Sequence, residues 1–292
     1  MSQQDTTWST LFDAAHRGPR IGDLLLLAGE APSTKQKVAA HRTAALALIE
    51  EGHYSFARAQ LEAALELDPT DSASRQHLAT LSELSTVRAE RHRQPRLILL
   101  FTGHMIDKKG RTEPRFPASK GPIASEAIAR VIETLGADSE DLAICGGACG
   151  GDLLFAKACH TRGLRLELYL PQPEAAFLAD SVGFEKALPE HAQDTWIARY
   201  FEVKRHRLTQ TRFTPDDVGP APQGVDSYAR NNLRQLYTAF SYGPEKVHVL
   251  ALWNGKGGDG PGGTADMIQK AMALGAKTHI INTNEVFGIG FS

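Results

Sequence analysis

Residues 144 to 158 read Ile-Cys-Gly-Gly-Ala-Cys-Gly-Gly-Asp-Leu-Leu-Phe-Ala-Lys-Ala, an apolar strand pattern that runs into four glycines and then directly into a helical pattern. Glycine reaches backbone angles closed to other residues and lets the main chain approach a ligand. The unpaired N–H groups and positive dipole end of the following helix attract an anion. Gly146, Gly147, Ala148, Gly150 and Gly151 are therefore candidate phosphate contacts. A second turn, Trp253-Asn254-Gly255-Lys256-Gly257-Gly258-Asp259-Gly260-Pro261-Gly262-Gly263-Thr264, again joins an apolar run to a helical stripe. Gly258, Gly262, Gly263 and Thr264 carry the same expectation, with Lys256 as the nearest cation. A tight turn without a ligand explains one such loop; two of them at strand ends favour a shared anion site.

Other polar residues cluster near these turns. Asp152 lies in a first helical turn, where a carboxylate is stabilised as a cap; facing a ligand, it suits a ribose hydroxyl and repels phosphate. The long loop after the first apolar strand carries Thr102, Gly103 and His104 at its start, then Arg111 and Arg115. A loop of this length is uncommon unless functional or disordered. Its arginines suit bidentate phosphate contacts, with surface ion pairs as the alternative. On the segment 226–237, Arg230, Asn231 and Arg234 are neighbours by helical spacing, and Arg230 and Asn231 are the preferred contacts to base, ribose or phosphate. For bond cleavage the candidate carboxylates are Asp152, Asp259 and Asp266, and no catalytic residue is assigned among them. Cys145 and Cys149 have no second ligand pair, so no metal site is expected.

The elements that must hold these residues change character along the chain. From Val38 to Asp71, Ala44, Leu48, Ala57, Leu61, Ala64 and Leu65 recur at three- and four-residue steps on either side of Gly52-His53-Tyr54, the pattern of a helical hairpin. Asp71-Ser72 is placed to cap a further helix. The run Arg88 to Pro95 ends this zone, so residues 1–93 and 94–292 are expected to form two units. Beyond it strands and helices alternate: strands at Leu97–Thr102, Asp141–Gly146, Leu164–Leu170, Val247–Trp253 and Lys277–Asn282, with helices between them. Alternation of this kind gives an α/β fold with a parallel sheet covered on both faces, whose ligands bind at the carboxyl ends of strands where strand order reverses. Trp196–His206 and the Pro/Gly-rich stretch 214–224 read as an irregular insertion able to serve as a lid.

The 292 residues are 42% hydrophobic and 23% charged, ordinary for a globular protein. A formal net charge of -2 gives no global attraction to nucleic acid, so that partner is expected to be unlikely. The apolar runs are too short to span a membrane, and the start lacks a secretory pattern, which leaves the cytoplasm as the expected location. Three cysteines provide no paired disulfide framework.

Two resemblances follow from these motifs. Cys145-Gly146-Gly147-Ala148-Cys149-Gly150-Gly151-Asp152 resembles the glycine turn of the SLOG superfamily, Rossmann-like domains that include DprA-type proteins and the LOG phosphoribohydrolases; Thr102-Gly103 and Gly262-Gly263-Thr264 resemble its first and last turns. The helical hairpin, closed by Pro69, resembles a tetratricopeptide repeat, of which about one and a half units are readable. Together they imply a Rossmann-like domain that binds a nucleotide or ADP-ribose-like signal and requires no other cofactor. They further imply a helical segment for association with a protein partner or a second copy, and a role in bacterial defence signalling. The alternative is a LOG-like enzyme cleaving an N-glycosidic bond. In those enzymes a carboxylate stands three places after the threonine; here that place is Met267 and Asp266 comes one earlier, turned by about 100° around the helix, so binding without cleavage is the leading expectation.

Overall fold

The computed structural model describes residues 3–18, 20–84, 94–183, 195–257 and 262–288. Its centre is a six-stranded, all-parallel sheet: β1 (Ile98–Gly103), β2 (Leu142–Cys145), β3 (Arg165–Leu170), β4 (Thr209–Phe213), β5 (Val247–Trp253) and β6 (Lys277–Asn282). The spatial order is β4-β3-β2-β1-β5-β6. The chain thus steps outward from β1 through β4, then returns beside β1 and steps the other way, placing the reversal between β1 and β5.

Alternation along the central strands builds two cores. On β1, Leu99 and Phe101 face one side together with Ala143 and Cys145 of β2. That side is covered by α6 (Gly121–Thr134), α7 (Gly151–Thr161), the short α8 (Glu174–Phe177), α9 (Trp196–Arg205) and the short α13 (Thr283–Phe287), through residues such as Ile128, Phe155, Phe177, Tyr200 and Phe287. Ile98 and Leu100 face the other side with Ile144 and Val249. There α11 (Ser227–Phe240) and α12 (Thr264–Ala273) contribute Leu236, Phe240, Met267 and Ala271. A strand buried on both faces must be apolar at every position, and the sequence Ile-Leu-Leu-Phe meets that requirement.

The front of the chain joins this second core. It comprises α1 (Gln3–Arg17), α2 (Ile21–Glu30), α3 (Thr34–Glu50), α4 (Tyr54–Leu67) and α5 (Ser72–Leu84). α2 is buried around its whole circumference from Ile21 to Ala28 because it lies between α3 and α11. Its backbone approaches that of α11 so closely that a Cβ at Gly22 would stand 2.8 Å from the Thr238 backbone. α3 and α4 form the expected hairpin, closed by Ala44, Leu48, Ala57 and Leu61, which belong to the same apolar cluster as the sheet residues. Asp71 accepts the Ser74 N–H at 3.1 Å and takes both oxygens' worth of the Arg42 guanidinium at 2.7 Å, so the expected cap also ties α5 back to α3.

The expected lid is a different object. α9 packs on α7 with Tyr200 and Val203 buried, and the chain continues into β4, which pairs parallel with β3. The segment is the crossover from β3 to β4. Thr-Gln-Thr-Arg-Phe carries no apolar run, because an edge strand with only half-buried side chains needs none. The stretch expected to be irregular begins with a short helix, α10 (Thr214–Val218).

Buried ion pairs fix α2 on α11. Arg234, 1% exposed, meets Asp23 at 2.6 Å and Asp217 at 2.7 Å, and Arg230 meets Glu30 at 2.5 Å. Removing one partner of a buried pair leaves the other charge desolvated. Arg234→Ala is expected to lower unfolding stability by about 3 kcal/mol, while Arg20→Ala at the partly exposed rim of the same network costs under about 1 kcal/mol; urea denaturation midpoints of the two variants check the contrast.

Candidate functional site

Three strand-end turns meet at the reversal between β1 and β5, and His104 joins them. Its N–H donates to the Leu252 carbonyl at 2.9 Å, and its carbonyl accepts from the Gly151 N–H at 3.1 Å. Its Nε2 accepts from the Asn254 N–H at 3.2 Å, so the imidazole must be neutral and carry its proton on Nδ1. Burial, with the Arg115 charge second, lowers its pKa to about 4. One residue at the end of β1 therefore holds the exits of β2 and β5. A short bridge between Met105 and Gly150 adds to the join; a Cβ at Gly150, which has φ +95°, would lie 2.8 Å from the Ile106 nitrogen.

A cleft of about 210 Å3 opens above this join. Its floor is Thr102, Gly103 and His104 from β1, Gly146, Ala148 and Asp152 from the first glycine loop, and Gly262, Gly263 and Thr264 from the second. α11 forms a wall through Tyr228, Asn231, Asn232 and Gln235, which recur at steps of three and four on one face. Asn232 donates to the Gly262 carbonyl at 2.6 Å, and Tyr228 shares hydrogen bonds with Gln172 and Ser181, each 2.7 Å. Tyr228, Asn232 and Gln235 were not among the sequence candidates. Their i, i+4, i+7 spacing was visible in the sequence, and what hid their role was the more conspicuous arginine pair on the same helix.

That arginine pair is a correction. Arg230 points away from the cleft, to Glu30 and to the Val218 and Gly219 carbonyls, because residues 230 and 234 lie on the opposite side of α11 from 228 and 235. Asn231 does line the cleft, with both ends of its amide used: it accepts from Thr214 Oγ1 at 2.6 Å and donates to the Tyr169 carbonyl at 3.1 Å.

The first glycine loop is not an open anion cradle either. Asp152 Oδ2 accepts the N–H groups of Gly147 at 2.9 Å and Ala148 at 3.1 Å. Cys149 N–H donates to the Ser181 carbonyl at 2.8 Å. The anion that these amides attract belongs to the protein. Burial raises the Asp152 carboxyl to about 6 in spite of the two N–H donors, and the side chain reaches partly into the cleft. Gly150, with no side chain, occupies the cap position of α7, so Asp152 is not its N-cap.

The second loop is more open. Gly263, with no side chain, occupies the cap position of α12, so no side-chain cap bond closes that helix start. The Thr264 hydroxyl instead stands 3.5 Å from that of Thr102 across the cleft floor. Asp266 does not face the cleft: it accepts the Gly262 N–H at 3.1 Å and pairs with Lys270, and the Lys270 hydrogen bond holds its carboxyl below the usual range. Lys256 pairs with Glu113 at 3.3 Å on the exposed rim. Gly258 and Asp259 lie outside the described residues. In the loop after β1, Asp107 accepts the N–H groups of Arg115 and Phe116, both at 2.9 Å, and pairs with Arg111 at 3.2 Å. Arg111 is therefore spent on its own loop, whereas Arg115 reaches the cleft wall. All three cysteines are buried, and among the described residues no cluster of three His, Cys, Asp or Glu side chains has metal-site geometry.

No family model and no curated protein matches the chain. Among solved structures it is similar to DNA processing protein A (DprA) from Streptococcus pneumoniae, at 12% identity over 84% of this chain and 92% of that one, with a TM-score of 0.30. That neighbour is named as a DNA processing protein; the expectation drawn above from net charge, that nucleic acid is an unlikely partner, does not stand. Net charge averages over a surface and does not describe a local patch. Among the described residues no helix is long and apolar enough to cross a membrane.

The His104 tie carries a pH dependence of definite sign. With a folded pKa of about 4 against 6.5 unfolded, its contribution is complete above pH 6.5 and is lost as pH falls through 4. Asp152, raised to about 6, works in the opposite sense, so the comparison must be made within one background. Between pH 7 and pH 5 His104→Gln is expected to lose about 2 kcal/mol less stability than the unsubstituted protein, read from urea midpoints at the two pH values; equal losses would refute the neutral tie.

Proposed function

We propose that the cleft binds a nucleotide or a nucleotide-derived molecule, and that the protein acts as a sensor of it. The observation that carries this reading is the convergence of three glycine-bearing strand ends and one polar helix face at the point where the parallel sheet reverses its order. Such a crevice is where open parallel sheets hold their ligands. The phosphate belongs at the start of α12, where Gly263 and Thr264 combine the positive helix end with a hydroxyl and no side-chain cap competes for the first N–H groups. Along the wall, Asn232 and Gln235 supply amide groups suited to a base or sugar. The likeness of the glycine turns to the SLOG superfamily supports the same ligand class.

α11 supports the sensing half of the reading. One face of it lines the cleft and the opposite face is ion-paired to Asp23 and Glu30 of α2. A ligand that prefers one seating of α11 shifts the position of the front helices by its differential affinity for the two seatings. The front helices would then present the bound state to a protein partner or a second copy. A defence-signalling role rests on the family likeness alone. Hydrolysis of an N-glycosidic bond remains the second reading because Asp152, a carboxyl with its pKa raised to about 6, lies in the cleft.

The test is a thermal-shift panel of AMP, ADP, ADP-ribose and NAD. At least one member is expected to raise the melting temperature, because binding to the folded state alone stabilises it. Thr264→Val, which keeps the shape and removes one hydroxyl, is expected to weaken binding by about 3- to 10-fold, the equivalent of one hydrogen bond. A panel without any response would refute nucleotide binding. Release of free base, followed by chromatography and abolished by Asp152→Asn, would favour the enzyme over the sensor.

A further inference from the structure

We infer that Asp152 determines ligand specificity in this cleft: its carboxylate fills the amide nest of the first glycine loop, so that side of the cleft accepts a sugar diol and refuses a phosphate. The inference rests on the nucleotide reading and narrows it to ribonucleotides bound in one orientation.

Loops of consecutive glycines preceding a helix attract anions because several backbone N–H groups point into one space. Here the groups are already engaged. Gly147 and Ala148 donate to Asp152 Oδ2, Cys149 donates to the Ser181 carbonyl, and Gly151 donates to the His104 carbonyl. A phosphate entering this loop would have to expel a carboxylate tethered four and five residues away, and would face its negative charge until it did. Gly146 preserves the arrangement, since a Cβ there would come within 2.6 Å of Asp152 Oδ2.

What the loop offers a ligand is the other carboxylate oxygen. Oδ1 has no hydrogen-bond partner among the described residues, and the side chain borders the cleft. An ionised carboxylate only accepts, so it matches a group that only needs to donate. A vicinal cis-diol presents two such O–H groups, and hydrogen bonds to an ionised acceptor are the strong ones. Across the floor the α12 end carries the opposite polarity, with the Gly263 cap free of side-chain competition and the Thr264 hydroxyl beside it. The cleft is therefore polar from end to end: acceptor at the β2 exit, anion site at the β5 exit. A ribonucleoside 5′-phosphate, with its diol and its phosphate on opposite sides of the sugar ring, has the matching sequence of groups.

The experiment is calorimetric titration of the full chain with AMP, ADP and ADP-ribose, with the 2′,3′-dideoxy forms of AMP and ADP, and with inorganic phosphate. The ribo forms are expected to bind at least tenfold more tightly than their dideoxy counterparts at pH 7.5, and the ratio to shrink at pH 5, where the carboxyl is protonated. In Asp152→Asn, whose amide oxygen still accepts from Gly147 and Ala148, the ribo/dideoxy ratio is expected to collapse and inorganic phosphate to compete more strongly than in the unsubstituted protein. Equal binding of ribo and dideoxy forms overturns this inference and leaves nucleotide binding intact. Failure of every nucleotide to bind overturns both. Should the variant not fold, the ratio and its pH dependence in the unsubstituted protein still decide the matter.

Discussion

One residue ties together the strand exits that form the cleft floor, and its side-chain bond requires a neutral imidazole. His104 accepts at Nε2 from the Asn254 N–H and donates its backbone N–H to Leu252, both at the exit of β5, while its carbonyl accepts from Gly151 at the exit of β2. Protonation would turn the accepting nitrogen into a donor facing the Asn254 N–H. Burial beside Arg115 opposes that change. With this residue in place the glycines can do without side-chain packing of their own. Each turn leans on its neighbours, and the cleft opens between them.

Helix α11 gives the cleft a connection to the rest of the molecule. Buried ion pairs seldom exceed apolar contacts in net stability, yet they tolerate few alternative geometries. The pairs Arg230–Glu30 and Arg234–Asp23, with the close backbone approach at Gly22, set how α2 sits on α11. The front end does not close a core of its own: it shares its apolar cluster with Ile98, Leu100 and Val249, so α2, α3 and α4 pack in one core with α11 and the sheet.

The two glycine loops look alike in sequence and differ in chemistry. In the first, an acid in the helix's opening turn folds back onto the loop amides. In the second, Asp266 takes only the Gly262 N–H and is neutralised by Lys270, leaving the amides after Gly263 without a side-chain cap. One loop is thus an acceptor surface and the other a donor surface. A cleft with two donor loops would favour a diphosphate lying across it; here the two ends differ in polarity.

The local sequence determined what depends on near neighbours. Strand-length runs set between turns and helical patterns identified β1, β2, β3, β5 and β6, the last two to the residue, and the glycine turns were legible at strand ends because turn geometry is set within a few residues. The hairpin of α3 and α4 was legible for the same reason. Tertiary structure decided whatever depended on a distant partner. β4 escaped notice since an edge strand is stabilised by backbone pairing to β3 and not by a side-chain pattern. The sequence grouped Arg230, Asn231 and Arg234 on α11, but only the position of α2, some two hundred residues earlier in the chain, decided that the arginines pair with it while Asn231 lines the cleft. For Asp152, sequence placed a carboxylate beside an amide nest, and the fold of the loop about Gly147 and Gly150 turned one into the other's ligand. A side chain's type is written in the sequence, while its direction is set by what else competes for it.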